Sequence, residues 1–279
     1  MSKLTALIDG DILVYQAALE AEHEHRWSDG LWTYHADEAH GQQGFERLLE
    51  GIMEEVKATD FLIALTDSAK NWRLGVLPTY KGNRKTVRRP LLRGHLNQWV
   101  KDHYRDKAYL RPTLEGDDVL GILSTHPTLV KGDKVVVSID KDFKTIPGKH
   151  YNQKHRRHFD INEEEADWWH MAQTISGDAT DGYSGCPGMG VDSAAEFMND
   201  PKLLVPYQHT LTRGPRKGEV ETRYREEPTD DIWAAVVSLY QSKGLGEEAA
   251  LIQARVARIL RHTDYDFTNK RPILWTPKK

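Results

Sequence analysis

Three short apolar runs and several amphipathic stretches organise the chain. The runs at residues 4–8, 61–65 and 135–139 are apolar except for Thr5 and Ser138, which is typical of parallel strands that are buried on both faces. Helical patterns lie between them, at residues 46–56 and 116–124. Strands that alternate with helices in this way predict an α/β fold with a parallel sheet and helices on both faces.

The pattern changes beyond about residue 160, where helices and loops replace the apolar runs. Asn162 is followed three residues later by Glu165, a capping box that predicts the start of a helix. Apolar stripes at residues 232–240 and 252–259 predict two more helices, and a basic loop broken by glycine and proline precedes them at residues 213–218.

Acidic residues follow the predicted strands. Asp9, Asp67 and Asp140 come one or two residues after the three apolar runs, so a parallel sheet would gather them at its carboxyl edge, where such folds bind ligands. Further acidic groups are Asp11, Glu115, Asp117, Asp118, Asp142, Asp178 and Asp181. Taken alone, each of these acidic groups could simply be the cap of a helix. Gathered together, each close pair would repel by about 4 kcal/mol at 4 Å and a dielectric constant near 20. Oxygen ligands of this kind favour Mg²⁺ or Mn²⁺ over zinc.

Charge is uneven along the chain. The 279 residues include 42 acidic and 38 basic side chains, a net charge of −4. Residues 81–111 nevertheless hold ten basic and two acidic residues, a local charge of +8, which favours a polyanion-binding surface. The histidines of His23-Glu24-His25 lie far from the acidic groups in sequence, and we interpret them as exposed helix surface.

Composition indicates a soluble protein of a reducing cytoplasm. No apolar run reaches the ~18 residues of a membrane helix, and the first residues lack the pattern of a secretory leader. The single cysteine, Cys186, cannot form an internal disulfide.

Six motifs, in this order, resemble the flap endonuclease or 5′-nuclease family. They are Asp9, Arg73 with PTYKGNR at residues 78–84, EGDD at 115–118, SIDKD at 138–142, GDATD at 177–181 and GCPGMG at 185–190. Details at residues 66–73 and 167–170 are similar to the 5′-3′ exonucleases of short-tailed bacteriophages.

The resemblance implies an α/β, PIN-like nuclease core over residues 1–160, with a basic helical arch at about 80–111. It also implies a mainly helical DNA-binding part over residues 161–279, packed on the core, with a helix-hairpin-helix element at about 173–197. The implied activity is a Mg²⁺-dependent 5′-3′ exonuclease that hydrolyses phosphodiester bonds from 5′ ends of duplex DNA. RNA primers and 5′ flaps would be further substrates, in phage DNA replication, recombination and host DNA breakdown. The protein would act as a monomer in the cytoplasm of an infected bacterial host, on double-stranded DNA and RNA–DNA hybrids.

The resemblance also assigns roles to residues. Two Mg²⁺ ions, replaceable by Mn²⁺, would be held by Asp9, Asp67, Glu115, Asp117, Asp118, Asp140, Asp142, Asp178 and Asp181. Catalysis would involve Lys81, Arg84, Asp140 and Asp117. DNA would contact Arg73, Tyr80, Lys81, Arg84, Lys85, Arg88, Arg89, Gly185, Gly188 and Gly190. The glycine hairpin would bind K⁺, although Asp192 stands where the family usually has a basic residue.

Three alternatives remain open at this stage. The first is a flap endonuclease that cuts structured DNA with the same metals. The second is a haloacid-dehalogenase-type phosphatase, in which Asp9 would form an aspartyl-phosphate beside Asp11. The third is a non-catalytic DNA-binding module, which would leave the acidic residues without a role.

Overall fold

The computed structural model describes residues 3–67 and 70–277, except for the side chains of residues 85 and 86. The helices and strands are, in chain order, β1 (Leu4–Asp9), α1 (Gly10–Glu20), β2 (Glu22–Arg26), β3 (Trp32–Ala36), α2 (Glu38–Val56), β4 (Asp60–Ala64), α3 (Arg93–His103), β5 (Ala108–Tyr109), α4 (Gly116–Thr125), β6 (Asp133–Ser138), β7 (Gly148–Asn152), β8 (Arg157–Ile161), α5 (Glu163–Ser176), α6 (Val191–Asn199), β9 (Lys202–Thr210), β10 (Val220–Pro228), α7 (Ile232–Ser242), α8 (Glu247–Ala257), β11 (Tyr265–Asp266) and β12 (Arg271–Pro272).

The chain divides into two compact units. Unit 1 consists of Met1–Gly75, Thr86–Ala166 and Ile259–Ile273. Unit 2 consists of Val76–Lys85, Asp167–Arg258 and Leu274–Lys279. Residues 76–85 therefore belong to the same unit as the helices that follow residue 167. In the described part of the chain, no helix has both the length and the hydropathy that crossing a membrane requires.

Unit 1 is built on a six-stranded sheet of order β5-β4-β1-β6-β7-β8. The strands β4, β1 and β6 are parallel neighbours, so the three strands predicted from the apolar runs are confirmed. Only β8 runs antiparallel to its neighbour, β7. Successive side chains of β1 face opposite sides, with Ile8 in a core shared with α1 to α3 and Leu7 in a core shared with α4. Helices therefore cover both faces of the sheet, as expected.

Two elements of unit 1 differ from the expectation. The stretch His23-Glu24-His25 is not helix surface: it lies in β2, which pairs with β3 in an antiparallel hairpin. Its side chains are polar on both faces of the strand, so the sequence has no apolar period of two to mark it. The expected helical arch is helical only in α3, with a short 3₁₀ turn at Gly82–Thr86 before it.

Unit 2 is mainly helical and also contains an unexpected antiparallel hairpin, β9–β10. The helix α5 begins in unit 1, and the capping box that starts it is confirmed, since the Glu165 amide donates to Asn162 Oδ1 (2.8 Å) and the Asn162 amide donates to Glu165 Oε2 (2.9 Å). The core of the unit contains Ile175, Val236 and Tyr240. Tyr240 also donates a hydrogen bond from its hydroxyl to the Thr174 carbonyl (2.7 Å).

Candidate functional site

Asp9 lies at the carboxyl end of β1, where it caps the N-terminus of α1. Its carboxylate accepts hydrogen bonds from the Ile12 amide (3.3 Å) and from Ser138 Oγ (2.8 Å) at the end of β6. The residue is 3% exposed. Burial, together with the charges of Asp11 and Asp140, raises the pKa of Asp9 to about 7, against the lowering effect of those hydrogen bonds. A carboxyl group in this position would gain from a nearby cation.

Asp11 brings a second carboxylate to the same place, in the first turn of α1. It accepts hydrogen bonds from the amide (3.1 Å) and the hydroxyl of Thr66. Burial raises the pKa of Asp11, and Glu115 adds to this effect, whereas Arg93 lowers the pKa. Sequence reasoning did not assign Asp11 to the metal site, because an acidic residue in a first helical turn needs no further explanation. Its position two residues after Asp9 was the signal that could have identified it.

The start of α4 lies against the Asp11 carboxylate. A methyl group added to Gly116 would come within 3.0 Å of Asp11 Oδ2, so glycine permits this close approach. The Gly116 amide donates to Thr66 Oγ1 (2.9 Å). Asp67, just after β4, accepts a hydrogen bond from the Thr113 amide (2.9 Å). Asp117 follows in the first turn of α4. The structure thus brings the ends of β1 and β4 and the start of α4 together.

Asp140 and Asp142 begin the 3₁₀ turn at Lys141–Thr145. The Asp140 carboxylate accepts from the Asp142 amide (2.9 Å), and the Asp140 amide donates to Ser138 Oγ (3.1 Å). Ser138 therefore links Asp9 to Asp140. Asp142 forms an ion pair with Lys141 (2.8 Å).

Arg73 and Asp118 form a buried ion pair beneath this edge. Two guanidinium nitrogens of Arg73 contact the two oxygens of Asp118, each at 2.8 Å, and one of them also contacts Glu115 Oε2 at 2.8 Å. Asp118 accepts further hydrogen bonds from Trp72 Nε1 (2.9 Å) and the Leu260 amide (3.2 Å). Asp118 is 0% exposed and Arg73 is 2% exposed. The structure therefore does not present Arg73 to DNA, or Asp118 to an ion, as the resemblance implied.

The donor chemistry of the edge fits a hard divalent cation, since the polar groups there are carboxylate and hydroxyl oxygens. Within the described ranges, no group of three or more His, Cys, Asp and Glu side chains is placed so that it could hold a metal ion as it stands. The buried carboxyl of Asp9, beside those of Asp11 and Asp140, is the observation that supports the fit, because positive charge would relieve their repulsion.

Unit 2 brings Asp178 and Asp181 together with the motif of residues 78–84. Asp181 accepts a hydrogen bond from the Tyr80 hydroxyl (2.8 Å) and pairs with Lys81 (3.5 Å) and Arg84. Asp178 accepts from the Thr180 (2.7 Å) and Asp181 (3.2 Å) amides. Lys81 adopts a left-handed conformation (φ 53°), and its amide donates to the Asp181 carbonyl (2.7 Å).

The basic segment that follows is attached to the β2–β3 hairpin. Arg88 pairs with Glu22 (3.1 Å for Nη1 to Oε2), and its guanidinium lies 3.9 Å from the ring centroid of Tyr34. The Leu91 amide also donates to Glu22 (2.8 Å). Arg89 is exposed. The side chain of Lys85 lies outside the described residues.

The glycine loop joins α5 to α6. Gly185 has φ +64°, and a methyl group there would come within 2.3 Å of the Gly177 amide nitrogen, so the two backbone segments touch. The Gly185 amide donates to Gln253 (2.9 Å). Gly188 has φ +78°, and Gly190 caps α6, in whose first turn Asp192 is exposed.

Comparison with known proteins gives consistent matches. Residues 4–168 match the family described as 5′-3′ exonuclease, N-terminal resolvase-like domain. The exodeoxyribonuclease of Enterobacteria phage T3 is 36% identical over 98% of this chain and 92% of its own length. The exonuclease of Escherichia phage T7 is 37% identical over 97% of this chain and 93% of its own. A flap endonuclease Xni of Shewanella oneidensis is 26% identical over 48% of this chain and 55% of its own.

Solved structures share the fold at low sequence identity. A mutant of the T5 5′-exonuclease has a TM-score of 0.57 at 12% identity, covering 92% of this chain and 88% of its own. A T5 protein co-crystallised with metal ions has a TM-score of 0.55 at 14% identity, covering 92% and 90%. A T5 flap endonuclease in a pseudo-enzyme-product complex with DNA and metal ions has a TM-score of 0.56 at 14% identity, covering 92% and 89%.

Proposed function

Because the chain belongs to the 5′-3′ exonuclease family and is a nuclease, we propose that it removes nucleotides from 5′ ends of duplex DNA with Mg²⁺ as its cofactor. The observation that carries the proposal is the group of buried carboxyls at the end of β1, where burial and the charges of Asp11 and Asp140 raise the pKa of Asp9 to about 7. Family membership argues against the phosphatase and the non-catalytic module.

The metal ligands we propose in unit 1 begin with Asp9 and Asp140, which Ser138 links. The others are Asp11, Asp67, Glu115, Asp117 and Asp142. Asp178 and Asp181 of unit 2 are proposed on the resemblance alone. Two bound Mg²⁺ ions would supply an activated water and neutralise charge on the leaving oxygen, and Mn²⁺ would replace them.

Arg73 and Asp118 are proposed as positioning residues. The bidentate ion pair fixes the Asp118 side chain at the start of α4, and the second contact of Arg73 orients Glu115. This role differs from the DNA contact and the ion contact that the resemblance implies. It follows from their burial, since neither side chain is accessible.

Lys81, Arg84 and Tyr80 are proposed to bind the 5′ end of the substrate. Lys81 and Arg84 would exchange Asp181 for a phosphate, and an arginine can contact phosphate oxygens through two N–H groups. Tyr80 would position the terminal nucleotide. The basic residues Lys85, Arg88 and Arg89 would follow the backbone, as would the loop of Gly185, Gly188 and Gly190, where K⁺ would bind.

Flap cutting is the second candidate, favoured by the similarity to flap endonuclease Xni. The same site would then cut at a junction as well as at an end. We also propose RNA primers in RNA–DNA hybrids as substrates, a role in phage DNA replication, recombination and host DNA breakdown, and a monomer acting in the host cytoplasm.

The test is digestion of duplex, single-stranded, flapped and RNA-primed substrates, each labelled in turn at the 5′ and the 3′ end. We expect mononucleotides from the 5′ label in Mg²⁺ or Mn²⁺, and no products in EDTA or from an Asp140→Asn control. Long 5′-labelled fragments would indicate flap cutting. Degradation that begins at 3′ ends, or that persists without metal, would contradict the proposal.

A further inference from the structure

The β9–β10 hairpin is a long element with no role in the site described above. All nine residues of β9 pair with β10, from Lys202 opposite Pro228 to Thr210 opposite Val220. At about 3.3 Å per residue, each strand spans roughly 26 Å. A two-stranded hairpin is only marginally stable by itself in water, so it depends on what it packs against.

The hairpin is anchored to unit 2 near its base. The Leu204 amide donates to Ser238 Oγ on α7 (2.9 Å), and the Tyr224 hydroxyl donates to the Gln241 carbonyl (3.3 Å). Leu204 also packs against the core of the unit. In β9 the residues are half-buried up to Val205 and mostly exposed beyond it, and Val220, at the far end of β10, is 59% exposed. The far half therefore projects into solvent.

The loop at the far end, residues 211–219, is closed by its own hydrogen bonds. The Leu211 amide donates to the Glu219 carbonyl (2.9 Å), and the Gly218 amide donates to the Leu211 carbonyl (2.8 Å). Gly214 supplies a left-handed turn at φ +82°. The backbone of the loop is therefore ordered before any partner binds, which lowers the entropy cost of binding.

Positive charge is concentrated in this end loop. Along the strand face, Arg223 pairs with Glu221 and Arg225 pairs with Glu227, each at 2.7 Å, so these arginines are neutralised locally. In the loop, Arg216 pairs with Glu219 (2.7 Å). Arg213 and Lys217 form no ion pair among the residues that the structure describes, and both are exposed. They leave two uncompensated charges at the end of the hairpin, in a chain of net charge −4.

We propose that the end loop of the β9–β10 hairpin binds the phosphate backbone of duplex DNA through Arg213 and Lys217. The inference rests on the proposed function, in that duplex DNA is the substrate. It extends that function by a second contact surface that holds the duplex without touching the reacting atoms. Charge complementarity favours DNA over an apolar partner, because the loop offers cations to a polyanion.

The test compares the wild type with an Arg213→Ala/Lys217→Ala variant. Duplex affinity is measured in Ca²⁺ over a range of salt concentrations, and the single-turnover rate constant is measured in Mg²⁺ at saturating DNA. We expect the slope of log Kd against log salt to become shallower by about 1.8, because two fewer phosphates are neutralised. We expect affinity at 0.1 M salt to fall by roughly one to two orders of magnitude, and the saturated rate constant to stay within twofold.

Two further variants keep the result interpretable. A Lys57→Asn/Lys131→Ala variant removes two exposed charges that precede β4 and β6, at the sheet edge opposite the carboxylates, and Asn tolerates the left-handed conformation of Lys57 (φ 55°). It should bind like the wild type. An Arg213→Lys/Lys217→Arg exchange keeps both charges and should also bind like the wild type.

The outcomes separate the two proposals. A wild-type protein that neither binds nor cuts duplex DNA would contradict the proposed function itself. If the wild type binds and cuts duplex DNA but the double alanine variant binds like the Lys57/Lys131 control, only the hairpin assignment is overturned. The loop would then be a candidate surface for a protein partner. A charge-conserving exchange as weak as the alanine variant would also overturn it.

Discussion

The acidic residues of the two units differ in how their charge is balanced. In unit 2, Asp181 contacts a hydroxyl and two cationic side chains, those of Lys81 and Arg84. In unit 1, Asp9 and Asp11 are buried beside other carboxylates, and burial and repulsion raise both pKa values. The charge of the aspartate in unit 2 is therefore balanced by cationic side chains, whereas the two aspartates of unit 1 lie where added positive charge would stabilise them. The end of β1 is the place where a divalent cation would gain most.

A second contrast lies inside unit 1. Glu115 and Asp118 are buried close to the same edge, yet they pair with Arg73. The guanidinium of Arg73 thus balances the charge of these two, whereas the described residues that donate hydrogen bonds to Asp9 are the Ser138 hydroxyl and the Ile12 amide. Each prediction below alters one side of these contrasts.

The largest expected effect is on Asp140, which adds negative charge beside Asp9. We expect Asp140→Asn to slow single-turnover cleavage in Mg²⁺ by about three to four powers of ten, because a metal ligand contributes several kcal/mol to the transition state. Duplex affinity in Ca²⁺ should change by less than about threefold. Asp133→Asn, at the opposite end of β6, is the control and should keep full activity. Equal losses of cleavage and affinity would assign Asp140 to DNA binding.

Replacing Arg73 should leave the buried carboxylates of Glu115 and Asp118 without the positive charge that balances them. We expect Arg73→Met to lower the free energy of unfolding by about 3–5 kcal/mol, because Asp118 and Glu115 would remain buried without their cationic partner. Urea unfolding measures the change. The control is Arg47→Met, which breaks an exposed ion pair with Glu20 and should cost about 1 kcal/mol or less. Similar losses for both variants would contradict the contrast between them.

The raised pKa of Asp9 predicts a pH dependence of stability in the metal-free protein. Its folded value of about 7 exceeds the unfolded value of 3.8, so the folded state keeps the proton longer and stability falls as pH rises between these values. We expect the wild type to lose up to about 4 kcal/mol relative to Asp9→Asn between pH 3.5 and pH 8, at 1.36 kcal/mol per pKa unit. Thermal unfolding in EDTA checks this. If the stabilities of the wild type and of Asp9→Asn change in parallel with pH, the pKa of Asp9 is not raised by folding. Added Mg²⁺ at pH 8 should stabilise the wild type more than the variant.

The smallest expected effect concerns the cations that balance Asp181. We expect Lys81→Ala to slow single-turnover cleavage by about a hundredfold, the size of effect seen when one electrostatic donor is removed. Lys81→Arg keeps the charge and should recover most of the rate. A loss below about threefold for Lys81→Ala would remove it from the reacting centre.

Three of the six strands of the sheet were predictable, because burial on both faces leaves a local signature, whereas β5, β7 and β8 were not predicted. The apolar runs at residues 4–8, 61–65 and 135–139 correspond to β1, β4 and β6 within about two residues. The start of α2 at Glu38 was missed, since Gly41 and Gly44 interrupt the helical pattern. The β9–β10 hairpin was missed because its exposed half lacks the alternation of apolar and polar residues that predicts a strand.

The site was predictable in its residue types and less so in its contacts. The acids at strand ends identify the edge without knowledge of the fold. The burial of Arg73 depends on Glu115 and Asp118, which are 42 and 45 residues away, so no local pattern reveals it. The contribution of Asp11 emerges only when Thr66 and Gly116 close around it.

The attachment of Arg88 to Glu22 and Tyr34 bears on how fast DNA is captured. Electrostatic steering depends on the field that side chains project into solvent, and an arginine held by a glutamate contributes a dipole there instead of a full charge. The encounter rate with DNA should therefore be slower than the basic residues of the segment suggest, and it should rise when Glu22 is neutralised.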